Sequence, residues 1–193
     1  MSDKSNRKTS ITTRVAQALH FIEAETGAVV PAIQPAATYA RDEAYEVRKP
    51  YFYRRDGNQA TAHAEAIMSE LEGSTDSLLF ASGMSACTAV IEHLPTGSHV
   101  VAPRVMYHGA LHQLQTYAAN KRITLDFYTA GDHVELAQVV AKTKPTLVWV
   151  ETPNNPNWEV TDIAAAAKIA HDAGAKLLAD CTGTPPNLTR ALD

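Results

Sequence analysis

Residues 98–128 read SHVVAPRVMYHGALHQLQTYAANKRITLDFY, and the fold class turns on this stretch. Ser98 to Ala102 is a short apolar run, which reads as a strand. Tyr107 to Ala119 reads as a helix, and Ile123 to Tyr128 as the next strand. A strand, a helical crossover and another strand form the unit from which parallel sheets are built.

The same alternation continues on both sides. Upstream, Thr61 to Leu71 is helical, with Ala62, Ala66, Ile67 and Leu71 on its apolar side and Gly73 as a stop. Ser77 to Ala81 is expected to be a strand leading into Ser82-Gly83-Met84-Ser85 and a helix that runs to Leu94. Downstream come a helix from Asp132 to Lys142, a strand from Thr146 to Val150 and a Pro/Asn-rich loop. A helix from Thr161 to Ala173 and a strand from Lys176 to Ala179 follow. Short, nearly continuous apolar strands alternating with helices predict an α/β fold, a mostly parallel sheet with helices on both faces.

The N-terminal part reads differently. Met1 to Thr13 is a polar tail, and Arg14 to Glu25 is expected to be one helix on the spacing of Val15, Leu19 and Ile22. From Gly27 to Gly57 the pattern breaks into Pro31, Pro35, Pro50 and scattered aromatics. This is an extended arm, poorly suited to burying itself and suited to packing on a second subunit. The expected division is therefore residues 1–60 as tail, helix and arm, and residues 61–193 as the α/β domain.

Composition narrows the function classes. The 193 residues are 45% apolar and 20% charged, with 17 Lys+Arg against 21 Asp+Glu and a formal net charge of −4. An acidic balance argues against a nucleic-acid-binding face. No apolar run reaches the length that crosses a bilayer, and no apolar core marks a signal peptide. Cys87 and Cys181 make no disulfide framework, so a cytoplasmic location is expected.

In an open parallel sheet, ligands bind beyond the carboxyl ends of the strands, so the residues there are the candidates. Ser82-Gly83-Met84 opens a helix directly after a strand, where free amides and the helix dipole suit a phosphate; a plain serine cap fits the same residues. Asp180 and Thr182 fall on one side of their strand end. The carboxylate there suits a protonated ring nitrogen, or caps the next turn. Asn155 can donate to an oxygen on a bound ring, or serve the turn that Asn-Pro favours. Tyr107 can stack on a planar ligand or simply pack. Tyr53 and Arg55, on one side of an extended arm, can grip a phosphate or remain solvated. His108 and His112 have metal-ligand spacing without an evident third ligand, so no metal is expected. Cys87 reads as a small buried hydrophobe.

The order of these signals is more specific than any one of them. Tyr53-x-Arg55-x-x-Asn58, Leu71-Glu72-Gly73, Ser82-Gly83-Met84, Tyr107, Glu151-Thr152-Pro153-x-Asn155-Pro156 and Asp180-x-Thr182 follow one another along the chain. This series resembles the Cys/Met-metabolism family of pyridoxal-phosphate (PLP) enzymes, from about Gly27 to Asp193. That family includes cystathionine γ-synthase, cystathionine β- and γ-lyases, methionine γ-lyase and O-acetylhomoserine sulfhydrylase.

The resemblance implies the N-terminal part of a PLP fold-type I large domain. It implies β/γ-elimination or γ-replacement on sulfur amino acids or activated homoserine esters, in a homo-oligomer joined through the arm. Ser82 and the amides of Gly83 and Met84 would hold the PLP phosphate, and Tyr53 and Arg55 would reach it from the neighbouring subunit. Tyr107 would stack on the ring and assist proton transfer, and Asp180 would pair with the ring nitrogen. Asn155 would contact the ring hydroxyl, and Thr182 would pack beside the ring.

Three positions depart from the family pattern: His108 stands where glycine is usual, Gln59-Ala60 replaces Pro-Thr, and Gly183 replaces a larger side chain. In the family a lysine within Ser-x-Thr-Lys, downstream of the Asp-x-Thr strand, carries PLP as a Schiff base. The lysines here are Lys4, Lys8, Lys49, Lys121, Lys142, Lys144, Lys168 and Lys176, none in that setting. Nor does the sequence hold the family's C-terminal domain, with its arginine for the substrate carboxylate. The 193 residues alone are therefore expected to be inactive. The rival expectation is a truncated, non-catalytic paralogue that binds PLP or phosphate, or dimerises.

Overall fold

Four short strands carry the sheet: β1 (Ser98–Pro103), β2 (Ile123–Tyr128), β3 (Leu147–Glu151) and β4 (Lys176–Asp180). They come from a computed structural model of the chain, which describes residues 10–48 and 50–192. All pairings are parallel, in the order β2-β1-β3-β4. The α/β class with a parallel sheet therefore stands. Side chains alternate through the sheet because successive residues of a strand point to opposite faces. Val100, Ala102, Leu147 and Trp149 pack on one side with Ile91, Ala110 and Leu114. Val101, Val148 and Val150 pack on the other with Leu136, Val140, Ala166 and Ala170. Each fully buried Val or Leu contributes about 1.5–3 kcal/mol, so two-sided burial explains why these strands read as unbroken apolar runs.

The helices are α1 (Ile11–Ala16), α2 (Gln59–Glu72), α3 (Gly83–His93), α4 (His108–Ala119), α5 (His133–Thr143) and α6 (Ile163–Asp172). Their starts follow capping chemistry. The side chains of Asn58, Ser82, Asp132 and Asp162 accept first-turn amides of α2, α3, α5 and α6. Gly73 ends α2 in the left-handed region at φ 70°. Contacts divide the chain into one unit of residues up to Leu79 with Leu192, and another of Phe80–Ala191.

Two expected elements differ. The N-terminal helix begins earlier, with Thr12 and Thr13 inside α1 rather than in a polar tail, and ends at Ala16. Ala18, Leu19 and His20 have positive φ. Beyond them the Glu23 carboxylate accepts the amides of Glu25 and Thr26 and the Thr26 hydroxyl, while Gly27 donates to the Glu23 carbonyl. This side-chain turn competes with helix and takes over the segment that apolar spacing alone assigned to one. The remainder of the expected tail, residues 1–9, lies outside the described residues.

Ser77–Ala81 is not a strand. The Leu79 amide donates to the Glu65 carboxylate of α2, 2.9 Å away, instead of to a neighbouring backbone. A strand exists only by pairing, and no described strand pairs with this segment. Leu78, Leu79 and Phe80 remain exposed. The arm, in contrast, is irregular as expected, held by the isolated antiparallel bridges Thr38–Tyr53 and Arg41–Val47.

Candidate functional site

Glu151 and Asp180 are the last residues of β3 and β4 and sit opposite each other in register. Beyond them opens a cavity of about 520 Å³, into which the starts of α3 and α4 also lead. Ser82, Gly83, Met84, Tyr107, Asn155, Asp180 and Thr182 all line it. Seven of the candidates named from sequence are thus brought together at the carboxyl ends of the strands. Tyr53 and Arg55 belong to the other unit and do not line it. There the chain turns, with the Asp56 amide on the Tyr53 carbonyl, and the Arg55 guanidinium stacks 4.9 Å over the Tyr53 ring. The two are neighbours through a turn, not through an extended strand.

The two ends of the cavity have opposite character. At the α3 end, the Ser82 hydroxyl accepts the Ser85 amide at 3.1 Å. The Gly83 and Met84 amides, in the helix's first turn, have no partner among the described residues. Even a Cβ placed on Gly83 would meet nothing within 4 Å, so this backbone is open to approach. These amides and the α3 dipole suit an anion. At the β4 end, Asp180 Oδ1 accepts the Thr182 amide at 3.1 Å and the Thr182 hydroxyl at 2.6 Å. Its Oδ2 has no hydrogen-bond partner among the described residues and remains for a cation or a protonated nitrogen.

Glu151 stood in the ordered series of signals, but what it holds was not disclosed by the sequence. Its carboxylate is buried and accepts the Tyr107 amide at 2.8 Å and the Asn155 amide at 2.7 Å. Burial pushes its carboxyl above the usual glutamate range, the two amides oppose that, and the neighbouring charge of Asp180 adds to it. Cys87, expected to be a small buried hydrophobe, is only half-buried and stands on the cavity wall, because α3 turns that face to the cavity. Burial, with Asp180 and then Glu151, pushes its thiol up to about 11.

Three supporting contacts were also missed. A Cβ at Gly109 would lie 2.7 Å from Cε1 of the Tyr107 ring, so this glycine leaves room for the ring. His108 packs edge-on against the same ring at 5.2 Å. Asn154, fully buried, donates through Nδ2 to the Val105 carbonyl and to Glu159, and accepts the Glu159 amide. This closes the Pro/Asn loop and leaves Asn155 at the cavity. The nearby signal was the two adjacent asparagines; nothing in a linear reading separates the buried one from the exposed one.

The site therefore offers an anion cradle, an aromatic face, an amide side chain and a free carboxylate oxygen, the complement of a flat ring that is phosphorylated at one end and protonated at the other. A family model described as Cys/Met metabolism PLP-dependent enzyme matches residues 12–193. The chain belongs to that family. Relatives within the Cys/Met-metabolism family include a cystathionine beta-lyase of Coxiella burnetii, 32% identical over the whole of this chain and 50% of its own length. A cystathionine gamma-lyase of Dictyostelium discoideum is 31% identical over the whole chain and 49% of its own. Among solved structures, cystathionine gamma synthase from Xanthomonas oryzae pv. oryzae in complex with cystathionine superimposes with a TM-score of 0.89 at 27% identity. That match covers 96% of this chain and 48% of the synthase. The chain spans about half the length of these family members.

Proposed function

We propose that this chain forms the PLP-binding part of an enzyme that eliminates or replaces groups at Cβ or Cγ of sulfur amino acids or activated homoserine esters. The observation that carries this reading is the cavity with unpaired amides at one end and the unpaired Asp180 oxygen at the other. Gly83 and Met84, beside Ser82, would hold the phosphate, and Tyr107 would stack on the ring and move a proton. Asp180, oriented by Thr182, would hold the proton on the ring nitrogen, and Asn155 would donate to the ring hydroxyl oxygen. Tyr53 and Arg55 would complete the phosphate site of a neighbouring copy. When bound, PLP supplies an electron sink for the pair left at Cα as its proton departs.

One observation favours a second reading, in which these 193 residues bind PLP or phosphate, or dimerise, without turnover. Among the described residues, no lysine lines the cavity. Lys121 and Lys144 precede β2 and β3 and Lys176 opens β4, all at the amino ends of strands and opposite the cavity. Lys168 pairs with Asp172 on α6, Lys142 lies in the last turn of α5, and Lys4, Lys8 and Lys49 lie outside the described residues. Titration of the chain with PLP, followed by visible absorbance and circular dichroism, tests both readings. Saturable binding without keto-acid or thiol release from cystathionine is expected of residues 1–193 alone. Failure to bind PLP overturns the site, and robust turnover overturns the inactivity.

A further inference from the structure

We propose that Glu151 is a positioning residue that sets the spacing of Tyr107 and Asn155, one carboxylate oxygen taken chiefly by each. This rests on the reading that the cavity holds PLP, because Tyr107 and Asn155 are the groups meant to face its ring.

The geometry is specific. Glu151 closes β3, a strand buried along its whole length, and is only 5% exposed, so its backbone is fixed by the sheet. Oε2 accepts the Tyr107 amide at 2.8 Å, and Oε1 accepts the Asn155 amide at 2.7 Å and shares the Tyr107 amide at 3.1 Å. Tyr107 and Asn155 lie 48 residues apart on different loops, and both line the cavity. The Asn154 side chain, donating to the Val105 carbonyl at 3.1 Å, ties the same two loops together, and Glu151 is the group that holds the Tyr107 and Asn155 amides themselves.

Tyr107 is the N-cap residue of α4, yet its side chain makes no cap hydrogen bond. Glu151 instead accepts the N-cap residue's own amide from outside the helix, placing negative charge at the positive end of a 12-residue helix. A carboxylate suits this position and an amide does not. Glutamine has one acceptor oxygen and an NH2 that would face a backbone N–H, leaving one buried donor orphaned.

The charge is held against opposition. Asp180 faces Glu151 from β4 in direct register, and the Cys87 thiol faces it from α3; from the start of α4 come the Tyr107 phenol and the helix's own positive end. Among the described residues, no lysine or arginine lines the cavity to neutralise it. Against burial and the charge of Asp180, two amides and a helix terminus favour the ionised form. When Glu151 takes up a proton, both tethers weaken together, so the tyrosine and the asparagine respond as one unit.

Two measurements on the 193-residue chain test this, one independent of PLP. In the first, the amide resonances of Tyr107 and Asn155 are followed by NMR through a pH titration without ligand. The clamp predicts that both shift with one shared midpoint, displaced above the ordinary glutamate range. Separate midpoints, or amides that stay still, overturn it. In the second, Glu151→Gln is titrated with PLP beside the wild type. The expected result is affinity reduced about tenfold, the weight of one charge-assisted hydrogen bond, with a changed circular dichroism band of the bound ring. Far-ultraviolet dichroism stays at the wild-type level. Unchanged affinity and an unchanged band overturn the proposal. If the wild-type chain binds no PLP at all, the functional reading fails while the ligand-free titration still decides the clamp.

Discussion

At the scale of single residues, Asp180 governs more than its own contact. Burial first, then its charge and that of Glu151 across the cavity, push the Cys87 thiol up to about 11. A thiolate is the reactive form, so Cys87 should alkylate slowly at neutral pH, with a rate that rises towards that value. Peptide mapping after iodoacetamide treatment separates Cys87 from Cys181. Fast labelling of Cys87 at neutral pH contradicts the assignment. In Asp180→Asn the thiol pKa should fall and labelling should quicken, while PLP affinity drops about tenfold through loss of one charge-assisted contact. Gly109 gives a steric counterpart. A methyl group there would stand 2.7 Å from the Tyr107 ring, closer than packed atoms come, so the ring must move. Gly109→Ala should weaken PLP binding with little loss of thermal stability, because the ring is partly exposed and free to yield; equal affinity in the two proteins would refute this.

At the scale of elements, what was legible depended on whether the deciding interaction is local. The helix starts at Ser82 and Asp132 were legible because a cap acts within three residues, whereas the caps Asn58 and Asp162 went unread and those starts fell two residues off. The four strands were readable because burial on both faces writes itself into the sequence as apolar runs. Ser77–Ala81 carries the same apolar signature but lacks a partner, and pairing is a property of two segments. The N-terminal helix failed for a related reason, since the Glu23 side chain captures backbone donors that a periodicity count cannot see. In the site, the strand-end residues were found by the rule that ligands gather there. The Glu151 clamp was hidden because its two ends lie 44 and 4 residues away and both partners are backbone amides. The Ser82 cap allows a test at this scale. Ser82→Ala removes the acceptor for the Ser85 amide and should cost about 1 kcal/mol in urea unfolding. Ser82→Gly should cost only a few tenths. Both should loosen PLP if the α3 terminus is the phosphate site, and equal unfolding midpoints for all three proteins would remove the cap from the account.

At the scale of the whole molecule, the arm and the cavity pose one question. Val29, Val30 and Tyr45 are strongly exposed, and Ile33 is 96% exposed, more apolar surface than a short segment leaves to water without a partner. A second copy of the chain is the partner the functional reading names, with Tyr53 and Arg55 from one arm serving the other copy's α3 terminus. In that arrangement each site is built from two chains, and mutations in its two halves should complement. Arg55→Ala and Asp180→Asn would each bind PLP weakly alone. Refolded together in equal amounts, random pairing puts half the molecules into mixed dimers. In each mixed dimer one site receives both substitutions and the other receives neither, so about a quarter of all sites regain wild-type affinity. Equilibrium dialysis with PLP measures that fraction, and sedimentation reports the dimer in the same samples. If each chain completes its own site, mixing restores nothing, because every site then keeps one substitution. A second pair of substitutions, Val30→Asp with Ile33→Asp, should shift the sedimentation towards monomer and abolish the recovery. Recovery that survives in a monomeric sample would show that it does not come from sites shared between two chains, and would overturn the arrangement.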